Sequence, residues 1–204
     1  MQPPTQRMPY TCATAQMQPI PPAPVPTRLQ CLRLQRRMHM PMHIQNHCRQ
    51  VCQVALALTN AGNSHWPMLD RALIQAAALL HDITKNRSFI TGENHAATGE
   101  NLLKKMGYAR LGAIVGQHVK LRRANDSPAI SEAHIINYAD KRVLHDRIVS
   151  LDERMQYIMA RYGHAPWQRQ RLHAIWKETR GIESRIWAVT GHHPDDLPRL
   201  VEPA

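Results

Sequence analysis

The feature that most constrains this chain is a helical stretch that is apolar on nearly every side and ends on two polar residues. Leu69, Leu73, Ile74, Ala76, Ala77, Leu79 and Leu80 leave little room for a polar face, and His81 and Asp82 follow directly. A helix with that pattern belongs in the middle of other helices. Runs of alternating Val, Thr and Tyr, which would argue for a sheet, are scarce, and aromatic residues make up only 5% of the chain, with a single Phe. The expected fold is all-α: a single helical bundle whose core is built from Leu, Ile, Val, Ala and Met.

A length of 204 residues suits one domain with short extensions. Residues 1–26 are rich in Pro, Gln and Thr and end in PIPPAPVP. Such a segment buries too little surface to offset its ordering entropy, so a disordered tail is expected there. The domain is expected over 27–193, with 194–204 a loose end. Helices are predicted from an N-cap at Thr27 to near Met40 and from Met42 to Asn60, the latter closed by Gly62. The third starts around Pro67 and ends at His81-Asp82, and a loop follows through Gly92. Further helices are predicted over His95–Met106, over Ala109–Val119, and from Ser131 to about Ser150. Two more meet around Gly163–Pro166.

No apolar run approaches the roughly 18 residues of a membrane span, and no secretory h-region is visible. The cysteines Cys12, Cys31, Cys48 and Cys52 form neither a zinc-ribbon pattern nor a disulfide framework, so a reduced, cytoplasmic setting is expected. The formal net charge of +11 points to anionic partners such as phosphate esters, nucleotides or nucleic acid. An Arg-rich solvated surface gives the same charge, and no nucleic-acid-binding motif is present.

His81-Asp82 closes the apolar helix where the bundle interior should be. A desolvated carboxylate there is costly unless it is paired or bound to a metal. Neighbouring residues on a helix diverge by about 100°, so both side chains converge most easily where the helix ends. His47 lies in a second, largely apolar helix, and Asp140 is flanked by Ile135, Ile136, Ala139, Val143 and Leu144. Polar residues in apolar settings on three helices suggest one shared partner. Two imidazoles and two carboxylates suit a divalent ion such as Mn, Fe, Co, Ni, Mg or Zn.

The order His47, His81-Asp82, Asp140 resembles the H…HD…D signature of the HD-domain metal-dependent phosphohydrolases. LLHDITK is similar to that family's LLHDIGK, with Thr84 where Gly is usual. HAATGENLLKKMG, GQHV and NYADKRV resemble its later segments, and the likeness runs from about Thr27 to Leu197.

The resemblance implies that His47, His81, Asp82 and Asp140 hold a metal ion and that His95 and His118 can serve a second one, with Asp82 shared. It implies catalytic roles for Asp82 and Lys85, and substrate contacts from Lys85, with Lys141 and Arg142 as weaker candidates. The implied activity is hydrolysis of a phosphomonoester or phosphodiester in a nucleotide or small phosphorylated metabolite. The alternative is a non-catalytic regulatory or nucleic-acid-binding module on the same fold. The basic run Lys120, Arg122, Arg123 is expected near the mouth of the site. Cys48 and Cys52 are expected to pack in the core, as are Trp176 and Trp187, while His39, His43, His134 and His145 are set aside as ligands. The helices after Ser150 carry no motif that selects a substrate.

Overall fold

The computed structural model describes residues 24–122 and 129–201. The expected tail therefore falls mostly outside the described residues, as does Arg123. Its last residues, 24–26, are described: Val25 packs against the core, and the Pro26 carbonyl receives the Cys31 thiol.

Among the described residues the fold is all-α apart from one hairpin of two two-residue strands. Its elements are α1 (Arg28–Arg37), α2 (Met42–Ala61), α3 (Arg71–Leu80), α4 (Lys85–Thr91), α5 (His95–Lys105), α6 (Ala109–Val115) and α7 (Glu132–Lys141). A hairpin of β1 (Val143–Leu144) and β2 (Arg147–Ile148) follows, then α8 (Leu151–Tyr162), α9 (Pro166–Thr190), a 3-10 turn (Pro194–Asp196) and α10 (Leu197–Leu200). Among the described residues, no helix is long and apolar enough to cross a membrane.

Helix α3 occupies the middle, as its apolar sequence requires, packed against α1, α2, α6 and α7. Leu73, Ile74, Leu79 and Leu80 are buried beside Leu58, Leu103, Ile135 and Ile136. Its start is set by Asp70, whose carboxylate accepts from Leu73 N–H, and not by Pro67, which lies in the preceding turn. A side-chain cap satisfies a helix-end donor that Pro cannot help. Gly62 closes α2 because the Trp66 ring lies against it and would collide with any Cβ. At the other end of α3, buried Gln35 on α1 donates to the Leu79 carbonyl at 2.6 Å. That bond satisfies a terminal acceptor and lets the helix stop at His81-Asp82 inside the core.

Several expected boundaries move, each for a local reason. Residues 85–91 form α4 instead of loop, ended by Gly92 with φ 70°. Helix α6 stops at Val115 because the next residue, Gly116, lies against the Glu100 carboxylate where a side chain would not fit. Helix α7 ends at Lys141, far short of Ser150. The chain reverses through His145, which has φ 58°, and pairs Val143 with Ile148. Residues 194–201, expected to be loose, pack down instead: Leu197 is fully buried, α10 lies on α2, and the Pro194 carbonyl accepts from Arg142.

Candidate metal centre

The ends of α3, α5, α6 and α7 and the interior of α2 converge on one buried spot. His47 comes from α2, His81 and Asp82 from the end of α3, His95 from the first residue of α5, His118 from the turn after α6, and Asp140 from α7. His47 Nε2 lies 3.0 Å from Asp140 Oδ1. His81 Nε2 lies 3.4 Å from Asp82 Oδ2 and 3.7 Å from Asp140 Oδ1. On the other side, Asp82 Oδ1 is 3.3 Å from His95 Nε2 and 3.5 Å from His118 Nε2. The fold therefore brings together all six residues that the sequence offered as metal ligands.

The histidines are held in one tautomer by the backbone. His47 Nδ1 donates to the His145 carbonyl, His81 Nδ1 to the Ala78 carbonyl and His118 Nδ1 to the Val115 carbonyl, at 2.7–2.8 Å. With Nδ1 so engaged, each Nε2 faces the centre, the arrangement by which proteins orient metal-binding imidazoles. The result is a crowd of ring nitrogens and carboxylate oxygens. His81 Nε2 and Asp82 Oδ1 are buried with no hydrogen-bond partner, and His95 Nε2 sits 3.1 Å from His118 Nε2.

These orphaned atoms, two kinds of metal-ligating donor buried side by side, fit a divalent ion. Two triads are close enough to hold one each: His47, His81 and Asp82, and Asp82, His95 and His118. Asp82 belongs to both, with one carboxylate oxygen turned to each side.

At His81, burial is outweighed by Cys48 and Asp82, which hold the imidazole well above its ordinary range and so keep on it a proton that a divalent ion would displace. Burial alone would raise the Asp82 carboxyl, but Lys85 and His81 outweigh it and hold the group well below the ordinary carboxylate range. Burial is likewise outweighed at Asp140 by the His47 hydrogen bond, His81 and Arg154. Burial pushes His118 down to about 4, which keeps its ring neutral. Thr84 departs from the glycine usual in the resembling family and is fully accommodated. Its φ of −108° needs no glycine, and its hydroxyl donates to the His95 carbonyl at 2.7 Å, steadying α5 where His95 enters the site.

The other expected site residues separate. Lys85 Nζ donates to Asp82 Oδ2 at 2.6 Å and borders the cleft above the centre. Lys141 is buried. Its Nζ donates to the His118 and Asn137 carbonyls, and burial lowers its pKa to about 8. Arg142 turns away from the centre and is spent on Val149, Tyr138 and Pro194, where it braces the C-terminal helices. Arg122 pairs with Glu100. Cys48 and Cys52 are buried in the core.

Sequence reasoning missed the far wall of the cleft. His43, one turn before His47, borders it, and so do Arg154, Tyr157 and Arg161 of α8 and Trp167 and Arg171 of α9. The signal that could have found them is a helical face, at positions 154, 157, 158 and 161, that carries Arg and Tyr where a core-facing stripe would be apolar.

Residues 44–143 match the family model of the HD domain. Among curated proteins the chain is similar to a tRNA (cytidine(56)-2'-O)-methyltransferase of Picrophilus torridus, 24% identical over 188 residues. The aligned region is 86% of this chain and 50% of that protein, so the chain spans about half the length of the curated relative it matches. No solved structure matches significantly. With the H…HD…D residues gathered at one buried centre and the family model covering the helices that carry them, residues 44–143 have the character of an HD domain.

Proposed function

We propose that this protein is a metal-dependent phosphohydrolase that cleaves a phosphomonoester or phosphodiester bond. The observation that carries this reading is the set of imidazole Nε2 atoms and carboxylate oxygens from five segments that face one another within 3.0–3.7 Å. His47, His81, Asp82 and Asp140 would hold one divalent ion, and Asp82, His95 and His118 a second. An ion held there supplies Lewis acidity toward a phosphoryl oxygen and a bound water of lowered pKa.

The chain's own residues do the rest. Lys85 fixes the Asp82 carboxylate through its 2.6 Å bond and, being part-exposed at the cleft, offers its remaining N–H groups to a phosphate. The backbone carbonyls of Ala78, Val115 and His145 accept from Nδ1 of the three rings and so turn each Nε2 toward the centre. Burial of the centre keeps bulk water from screening these charges.

The reading is tested by assaying the purified chain against a panel of phosphomonoesters and phosphodiesters with Mn, Mg, Co and Ni. Metal-dependent turnover that Asp82→Ala abolishes is the expected result. Metal content unchanged in that variant would refute the centre.

A second reading, a nucleic-acid-binding module on the same fold, draws on the net charge of +11 and the similarity to an enzyme named for tRNA. It predicts oligonucleotide binding whose log affinity falls by about one unit per log unit of salt for each phosphate contacted. Binding without that slope removes it.

A further inference from the structure

The metal centre forms the floor of a cleft of about 610 Å³. Its opposite wall is built by α8 and α9, which lie outside the matched HD region. Three observations about that wall point to a ligand. First, the charge around the cleft is one-sided: Arg154, Arg161 and Arg171 border it from this wall and Lys85 and Lys141 from the other side, and the carboxylates that border it are Asp82 and Asp140.

Second, the chain has one Phe, five Tyr and four Trp, and Phe89, Tyr157, Tyr162, Trp167 and Trp176 all border this cleft. Phe89, Tyr162 and Trp167 are left 60%, 49% and 63% exposed, so the folded core gains little from them. Third, Arg154 reaches the centre itself. It stands 4.0 Å from Asp140 Oδ1, its guanidinium lies over the Tyr157 ring at 5.8 Å, and its buried Nε has no hydrogen-bond partner. Arg161 lies against Tyr162 at the rim, 5.7 Å from the ring centre.

We propose that this wall makes the cleft selective for a mononucleotide. Arg154 binds an oxygen of the phosphate that lies next to the metal ligands, and the base stacks on Trp167 beside Tyr162. The inference rests on the phosphohydrolase reading for the placement of the phosphate. A guanidinium presents a planar fork of donors suited to phosphate oxygens, and exposed aromatic faces accept any base. Charge complementarity selects an anion, the aromatic rim selects one that carries a flat ring, and the cleft volume is that of an ordinary small-molecule site.

The test is calorimetric titration of the full chain, loaded with Mn, against the four nucleoside 5′-methylenephosphonates, whose P–C bond resists hydrolysis. Ribose 5-methylenephosphonate serves as the probe without a base. The native chain is expected to bind the nucleoside probes about ten-fold or more tighter than the ribose probe. Trp167→Ala brings that ratio close to one. Arg154→Met weakens both kinds of probe by about ten-fold or more, and Arg154→Lys recovers part of the loss.

A ratio near one in the native chain, or a ratio that Trp167→Ala leaves intact, overturns the proposal. So does tighter binding of a short oligoribonucleotide than of any mononucleotide probe. Hydrolysis of p-nitrophenyl phosphate by the native chain separates this inference from the reading beneath it. Turnover without a base preference sinks only the substrate class. A base preference without turnover supports the cleft and sinks the hydrolase.

Discussion

Replacing Asp82 by Asn removes the carboxylate that both triads share while leaving the side chain's shape nearly unchanged. Two effects follow, and they can be separated. Without metal, the variant loses the partner of Lys85, 2.6 Å away. Breaking a fully buried ion pair costs about 3–5 kcal/mol. The Lys85 side chain is 27% exposed and can swing toward water, so a loss of about 1–3 kcal/mol is the reasonable figure here. With metal at a hundred times its Kd, the native chain gains about 2.7 kcal/mol, or about 5–11 °C in melting temperature at this chain length.

A variant whose Kd is weakened a hundred-fold keeps only about 0.4 kcal/mol of that gain, a rise of about 1 °C. Melting curves with EDTA and then with Mn measure both effects. Glu100→Gln is the control: Glu100 is also a buried carboxylate, but it pairs with Lys104 and Arg122 away from the centre. That variant should melt lower in EDTA and keep the full metal-dependent rise. If Asp82→Asn keeps the full rise as well, the carboxylate binds no metal and the centre is wrongly assigned.

Metal analysis should find two ions per native chain and one in the double variant His95→Ala/His118→Ala, because the triad of His47, His81 and Asp82 survives; equal content in the two proteins refutes the second site. His118 titrates near 4 in the folded chain against 6.5 unfolded, so between those values the unfolded chain holds more protons and stability falls as pH is lowered. In EDTA, the native chain's stability relative to His118→Gln should therefore drop by up to about 3 kcal/mol from pH 6.5 to pH 4, read from urea unfolding; a difference independent of pH contradicts the burial argument. Tyr138→Phe strips the hydroxyl that bonds Arg142, Trp187 and Glu183. It should cost about 1–3 kcal/mol with metal content unchanged, and a loss of metal would mean that Arg142 supports the centre.

The core was legible because burial leaves a periodic trace. The all-round apolar character of 69–80 pointed to a central helix, and the capping residues Thr27 and Ser131 stand where helices begin. The errors lie where the cause is a contact between segments distant in sequence. Nothing in VLHDRIV announces that the chain turns back at His145. The reversal is coupled to the His145 carbonyl receiving His47 Nδ1, from a residue nearly a hundred positions earlier. Helix α6 ends early because Glu100 lies against Gly116, and Leu197 is buried because α10 finds α2. Residue-by-residue propensity carries none of these pairings.

The site divides along the same line. A centre able to hold a metal demands particular side chains, and candidates for them stand out in the sequence at His47, His81-Asp82, His95, His118 and Asp140 even though they lie far apart. The wall facing it demands only a surface of suitable charge and shape, which many sequences satisfy, so Arg154, Arg161 and Trp167 look like ordinary residues of amphipathic helices. Helical phase still separates the two cases. On α8, residues 154, 157, 158 and 161 share one face and border the cleft, while Leu151 and Met155 contribute to the core. A helix that buries one stripe and turns a second, cationic and aromatic stripe onto a metal centre is constrained on two faces at once. Such a helix tolerates Arg154→Met as a folding problem and fails it as a binding problem, which is why binding, and not stability, is the measurement that reports on this wall.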